Sequence, residues 1–241
     1  KQALDRLSAL LDHPRGTRMP SIAIYGDSGM GKSSLCNALF GQDVAAISNV
    51  EACTREPQEI LVGGENGSGL CLIDVPGVGE DPKRHAEYKA LYKSLLPKLD
   101  LVIWAIKADD RKFSTSLDVW DEILKPNLDK CPVVFVITQA DKIEPYREWN
   151  MAENKPGPTQ LSNLERKAKD ISARFDVSHN YIEAVSANDA WNLQELVAKI
   201  VKALPNEKKS AFVRVAKEET VTEAVVIAAE RGVWDAIKDK A

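Results

Sequence analysis

Short apolar runs alternate along this chain with stretches in which apolar residues return every three or four positions. Ser21-Ile22-Ala23-Ile24-Tyr25, Leu70-Cys71-Leu72-Ile73-Asp74, Leu101-Val102-Ile103-Trp104-Ala105-Ile106 and the segment from Pro132 to Ile137 lack the alternation of a half-solvated strand. They predict strands buried on both faces. Gln58-Glu59-Ile60-Leu61-Val62 precedes the second run, and the glycine-rich stretch 63–69 between the two predicts a hairpin. Tyr181-Ile182-Glu183-Ala184-Val185 predicts a final strand. Helical spacing covers Ser34 to Phe40, His85 to Pro97, Ser114 to Leu128, Thr159 to Phe175, and Leu193 to Leu204, where Pro205 ends it. Strands alternating with helices imply an α/β fold, a doubly wound and mostly parallel sheet with one antiparallel edge strand.

The ends differ from this middle. Ala3, Leu4, Leu7, Leu10 and Leu11 predict a short packing helix within residues 1–19, stopped at His13-Pro14-Arg15-Gly16. Phe212, Val213 and Val215, then Val221, Val225, Ala229, Val233 and Ile237, predict one or two amphipathic helices. The chain thus divides into an N-terminal helix (1–19), a main domain (20–204) and a helical extension (205–241). That extension either packs on the domain or continues toward a segment or partner beyond residue 241.

The chemistry concentrates at strand ends. Gly26-Asp27-Ser28-Gly29-Met30-Gly31-Lys32-Ser33 fits the phosphate-loop pattern G-x-x-x-x-G-K-[ST], between a predicted strand and a predicted helix. Glycines let the backbone wrap closely round a phosphate, and successive N–H groups form an anion nest at a helix N-terminus. Lys32 can reach β- and γ-phosphates, and the Ser33 hydroxyl can take a place on Mg²⁺. Asp74 closes a buried strand and opens Asp74-Val75-Pro76-Gly77, a D-x-x-G sequence. Its carboxylate can hold Mg²⁺ through water, while the Gly77 N–H can face a γ-phosphate. Thr138-Gln139-Ala140-Asp141-Lys142 stands where a purine-specifying loop would sit, and Ser186-Ala187-Asn188 follows the last strand. Gly26, Asp74, Thr138 and Ser186 therefore point at one rim of the sheet, where such sheets bind ligands.

Composition narrows the classes. The 241 residues are 44% hydrophobic and 28% charged, with a net charge of -4 that gives no global attraction to nucleic acid or anionic membrane. Cys36, Cys53, Cys71 and Cys131 form no C-x-x-C pair and read as incidental thiols of a reducing compartment. No signal peptide or spanning apolar run is visible, so the expected location is cytoplasmic. The chain opens on Lys1 rather than Met and reads as a piece of a longer protein.

With GDSGMGKSS at 26–34, Thr54, DVPG at 74–77, TQAD at 138–141 with Lys142, and SAN at 186–188, residues 20–204 resemble the Era/TrmE-type, translation-factor-related P-loop GTPases. More narrowly they are similar to the bacterial YfjP/YeeP/YkfA group of Era-like GTPases. The resemblance implies a P-loop GTPase fold that takes GTP or GDP with Mg²⁺. Residues 26–34 would hold phosphates, with Lys32, Thr54 and Gly77 acting on the γ-phosphate and Ser33, Thr54 and Asp74 on the metal. Asp141 would accept the N1–H and N2–H₂ of guanine, flanked by Thr138, Gln139 and Lys142, with backbone at Ser186 and Ala187 toward O6. Resemblance to Era suggests a ribosome, RNA or protein partner.

Three departures stand out. The guanine box is usually N-K-x-D, and here Thr138 and Gln139 replace Asn and Lys, with Thr138 unable to repeat the Asn amide contacts. Val78 follows Gly77 where Ras-like enzymes place a water-orienting Gln. Gly29 stands where potassium-activated relatives of TrmE carry Asn. The leading expectation is a GTP-hydrolysing switch. A guanine-nucleotide module with little hydrolysis is the alternative, and a P-loop ATPase or kinase a third.

Overall fold

The computed structural model describes residues 20–27, 29–41, 58–62, 70–74, 85–110 and 114–238. The helix expected within 1–19, the hairpin turn 63–69, and Ser28, Thr54, Gly77 and Val78 lie outside the described residues.

The described strands are β1 (Ser21–Tyr25), β2 (Gln58–Val62), β3 (Leu70–Asp74), β4 (Leu101–Lys107), β5 (Val133–Thr138) and β6 (Ile182–Ala184). They form one sheet in the order β2-β3-β1-β4-β5-β6. Every pairing is parallel except β2 with β3, which is antiparallel. After β1 the chain builds β2 and β3 on one side, then crosses to place β4 on the other. The order therefore switches at β1, and a crevice opens above its carboxyl end.

Helices cover both faces: α1 (Lys32–Phe40), α2 (His85–Leu95), α3 (Ser114–Val119), α4 (Pro158–Phe175), α5 (Leu193–Ala203), α6 (Lys209–Val215) and α7 (Glu223–Lys238). Strand alternation sorts the core into two layers. Ala23, Tyr25, Val102, Trp104, Ile106, Phe135 and Ile137 face α2, α3 and α4. Ile22, Ile24, Ile103, Val134 and Val136 face α1, α5, α6 and α7. The first layer is aromatic. Trp104 stacks on Phe135 with centroids 5.7 Å apart, and Trp120 meets Phe135 at 5.3 Å and Phe175 at 5.6 Å.

One predicted helix changes pitch along its length. Helical spacing runs from Ser114 to Leu128, but α3 ends at Val119, and Trp120–Leu124 form a wider turn followed by a tight one at Lys125–Asn127. Pro126 has no N–H to continue the ladder, and its ring excludes the carbonyl four residues back. The Lys125 N–H instead reaches Trp120 O. Trp120 is thereby fully buried, though its Nε1–H has no partner among the described residues. Trp120→Ala should cost about 3–5 kcal/mol of stability. Trp120→Phe should cost far less, since it also removes a buried unpaired donor. Urea unfolding of the two variants checks this.

The C-terminal helices pack on the same layer as α1. Phe212 is fully buried against Phe40, with ring centroids 5.7 Å apart, and the Lys217 N–H donates to Leu39 O at 2.8 Å. Cys36 and Cys131 are buried. Burial pushes the Cys131 thiol up to about 12, so it stays protonated at neutral pH.

Candidate nucleotide-binding site

β1 delivers the chain to the rim and the glycines turn it back. Gly26 has φ 148°, and a Cβ there would sit 2.8 Å from Ala105 O. Gly29 (φ 79°) and Gly31 (φ 80°) occupy the left-handed region, and Gly31 caps α1. Gly26 is closed to any side chain by that contact, while Gly29 and Gly31 are favoured by their left-handed backbone alone. Lys32, Ser33 and Ser34 form the first turn of α1, where the helix-terminal N–H groups carry partial positive charge. Lys32 Nζ curls over the loop and donates to Gly26 O at 2.8 Å and Asp27 O at 3.4 Å. An arriving phosphate can take over both bonds.

Met30 is the loop's anchor. Its sulfur accepts the Lys107 N–H at 3.3 Å, and its carbonyl accepts the Thr138 hydroxyl at 2.6 Å. The hydroxyl of Thr138 therefore holds the phosphate loop from the end of β5. This limits the departure read from the sequence: the Asn amide is gone, but a bond from position 138 to the loop is not. Gln139 adds a second, donating from Nε2 to Gly29 O at 3.0 Å.

The loop at 138–142, the candidate base loop, is closed from the end of β6. The Ala140 N–H donates to Val185 O at 3.1 Å, and Ser186 follows, fully buried. The Ser186 hydroxyl lies 2.8 Å from Asp141 Oδ1 and 2.7 Å from Asp189 Oδ2. It has one proton, so it donates to one carboxylate at a time. Ala187 is half-buried beside it. Ser186 and Trp191 pair backbone to backbone, and Trp191 meets buried Trp149 edge-on with centroids 6.0 Å apart. The long connection after β5 thus props the base loop from outside. A cleft of about 410 Å³ opens there, lined by Asp141, Lys142, Tyr146, Trp149, Met151 and Asp189. Asp189, Trp149 and Trp191 were not marked by sequence reasoning. No spacing rule singles them out: the turn at 186–191 carries Asp189 and Trp191 to the Asp141 loop, and Trp149 meets Trp191 from the connection after β5.

For the metal, Asp74 is the last residue of β3, in register with Ile24 of β1, and Ser33 lies in the first turn of α1. A hydroxyl and a carboxylate are hard oxygen donors. They suit Mg²⁺, which takes one or two protein ligands and completes its shell with phosphate and water. Thr54 and Gly77 lie outside the described residues.

Comparisons with known proteins agree with the fold. The 50S ribosome-binding GTPase family matches over residues 21–139. YfjP of Escherichia coli is 40% identical over 195 residues, covering 80% of this chain and 65% of YfjP. The chain therefore spans about two thirds of that relative's length. The probable GTP-binding protein EngB of Bartonella bacilliformis is 32% identical over 197 residues, covering 77% of this chain and 84% of EngB. Among solved structures, Era in complex with MgGDPNP and a segment of 16S ribosomal RNA matches with a TM-score of 0.55 at 26% identity, over 78% of this chain and 57% of Era. Among the described residues no helix is long and apolar enough to cross a membrane. By sequence likeness and by fold, the chain belongs to the Era-like P-loop GTPases.

Proposed function

We propose that residues 20–204 bind GTP and GDP with Mg²⁺, hydrolyse GTP to GDP and phosphate, and act as a nucleotide-dependent switch. The observation that carries this is the pairing of two loops at one rim. A glycine phosphate loop is bonded to a base loop by Thr138 and Gln139, and that base loop presents the Asp141 carboxylate against Ser186. The carboxylate can accept the N1–H and N2–H₂ of guanine together, a pair that adenine does not offer. Backbone at Ser186 and Ala187 would contact O6. Lys32 and the N–H groups of residues 26–34 bind and orient the phosphates. These groups are fixed before the reaction and stabilise the charge that gathers on the γ-phosphate oxygens.

When bound, Mg²⁺ neutralises phosphate charge, with Ser33, Asp74 and Thr54 as the residues to hold it. Gly77 would sense the γ-phosphate, and Thr54 with residues 75–84 would order around it. Val78 offers no group to orient water, so unassisted turnover should be slow, about 10⁻⁴–10⁻² s⁻¹. Val78 also favours the second reading, a guanine-nucleotide module that barely hydrolyses. Ribosomal RNA, which Era binds in its complex, is the partner we propose to try first, and the cytoplasm is the proposed location.

Titration with fluorescent GTP, GDP and ATP analogues, with and without Mg²⁺, followed by phosphate-release assays, tests the proposal. GTP and GDP should bind well ahead of ATP. Equal binding of ATP would overturn the guanine reading, and tight binding with no phosphate release would leave the binding module.

A further inference from the structure

We infer that Lys142 is a positioning residue of this site, acting through the Gln139 amide to hold the Gly29 carbonyl of the phosphate loop. The inference rests on the nucleotide-binding reading above and extends it to a residue outside the loop it controls. Gln139 leaves β5 in the left-handed region, with φ 55° and ψ 43°, and caps the single tight turn Ala140–Lys142. In such a turn residues three apart stand one above the other, and the Lys142 N–H donates to Gln139 O at 3.0 Å. Lys142 Nζ consequently reaches Gln139 Oε1 at 3.0 Å, while Gln139 Nε2 reaches Gly29 O at 3.0 Å.

The chemistry fixes the direction of that amide. An ammonium only donates and a carbonyl only accepts. Turning the Gln139 amide over would set its NH₂ against Nζ and its oxygen against Gly29 O, donor facing donor and acceptor facing acceptor. Lys142 therefore holds the one orientation that bonds Gly29, and its charge polarises the N–H that does so.

Gly29 O is worth holding. In a trans peptide the carbonyl and the next N–H point opposite ways. Pinning Gly29 O toward Gln139 turns the Met30 N–H back into the loop, where it lies 3.2 Å from Asp27 O. Thr138 pins the next carbonyl, Met30 O, at 2.6 Å, which turns the Gly31 N–H the same way. Two consecutive carbonyls of the loop are thus fastened to two consecutive residues of the base loop. Lys142 secures the outer, more exposed fastening.

The test is a double-mutant cycle on GDP affinity, read by fluorescent-nucleotide titration of wild type, Lys142→Met, Gln139→Leu and the double variant. Each single variant should weaken binding about three- to tenfold, and the double should be no weaker than the weaker single within about twofold, because the two act as a unit. The transposed pair Gln139→Lys with Lys142→Gln should restore most of the affinity. Nucleotide-free melting should shift little in any of them. Lys142→Met binding like wild type, or losses that multiply in the double variant, would overturn the inference. Should wild type take ATP as readily as GTP, the guanine reading fails, and the same cycle read with ATP still decides the role of Lys142.

Discussion

Lys32→Ala should reduce the affinity for GTP and GDP about a hundred- to a thousandfold. The Lys32 ammonium sits over the loop on the carbonyls of Gly26 and Asp27, held at 2.8 and 3.4 Å. A nucleotide phosphate entering the loop meets a positive charge already in place beside a helix N-terminus. Removing one partner of a desolvated, hydrogen-bonded charge pair typically costs about 2–5 kcal/mol. At about 1.4 kcal/mol per tenfold, the middle of that range gives the stated loss. The loss should fall equally on every nucleotide, because in the proposed site Lys32 contacts phosphate and not base. Calorimetric titration with GDP and ATP measures it, and thermal unfolding of the nucleotide-free variant should change little, since the side chain lies at the rim of the sheet. Affinity within threefold of wild type would remove Lys32 from the site.

Asp141→Asn has the opposite character: it should change which base is chosen while leaving the phosphate grip intact. The carboxylate offers two acceptor oxygens, matching the two donors on the guanine edge. An amide offers one acceptor and one donor. That donor opposes guanine N2–H₂ but suits xanthine, which carries a carbonyl at that position. A mismatch of this kind leaves buried polar groups unpaired, at about 1–3 kcal/mol each. A site built on such bonds discriminates strongly. We expect GTP affinity to fall at least about a hundredfold and xanthine nucleotide to become the preferred ligand. The Ser186 hydroxyl, 2.8 Å from Oδ1, can still donate to the Asn oxygen and hold the side chain in place. Competition between GTP and XTP on both proteins gives the result. An unchanged preference would mean that Asp141 does not face the base. Together the two variants separate the two halves of the site, since Lys32→Ala should scale all nucleotides and Asp141→Asn should reorder them.

Much of this was legible in the chain. The wholly apolar runs of β1, β4 and β5 could only be central strands, because a run without polar alternation has no face to give to water. The phosphate loop was legible because its parts are consecutive: glycines, lysine and serine work within a few residues of one another. The helix expected over Ser114 to Leu128 was legible in extent but not in pitch, because apolar spacing does not register that Pro126 removes the donor the regular ladder needs. Thr138 was read as unable to repeat the Asn amide contacts. The structure shows instead a different pair of bonds to the same loop.

What the sequence by itself determined is therefore the local chemistry: which residues bury, which loop wraps an anion, and which carboxylate follows a buried strand. Only the tertiary structure decided which of these groups touch. Thr138 meets Met30 across 108 positions of sequence, and Gln139 meets Gly29 across 110. Asp141 meets Ser186 across 45. Alternation of apolar and polar residues says which face of a strand is buried. It does not say which strand lies beside it or in what register. Those choices come from packing two layers of side chains at once, and they bring the ends of β1, β5 and β6 to one rim.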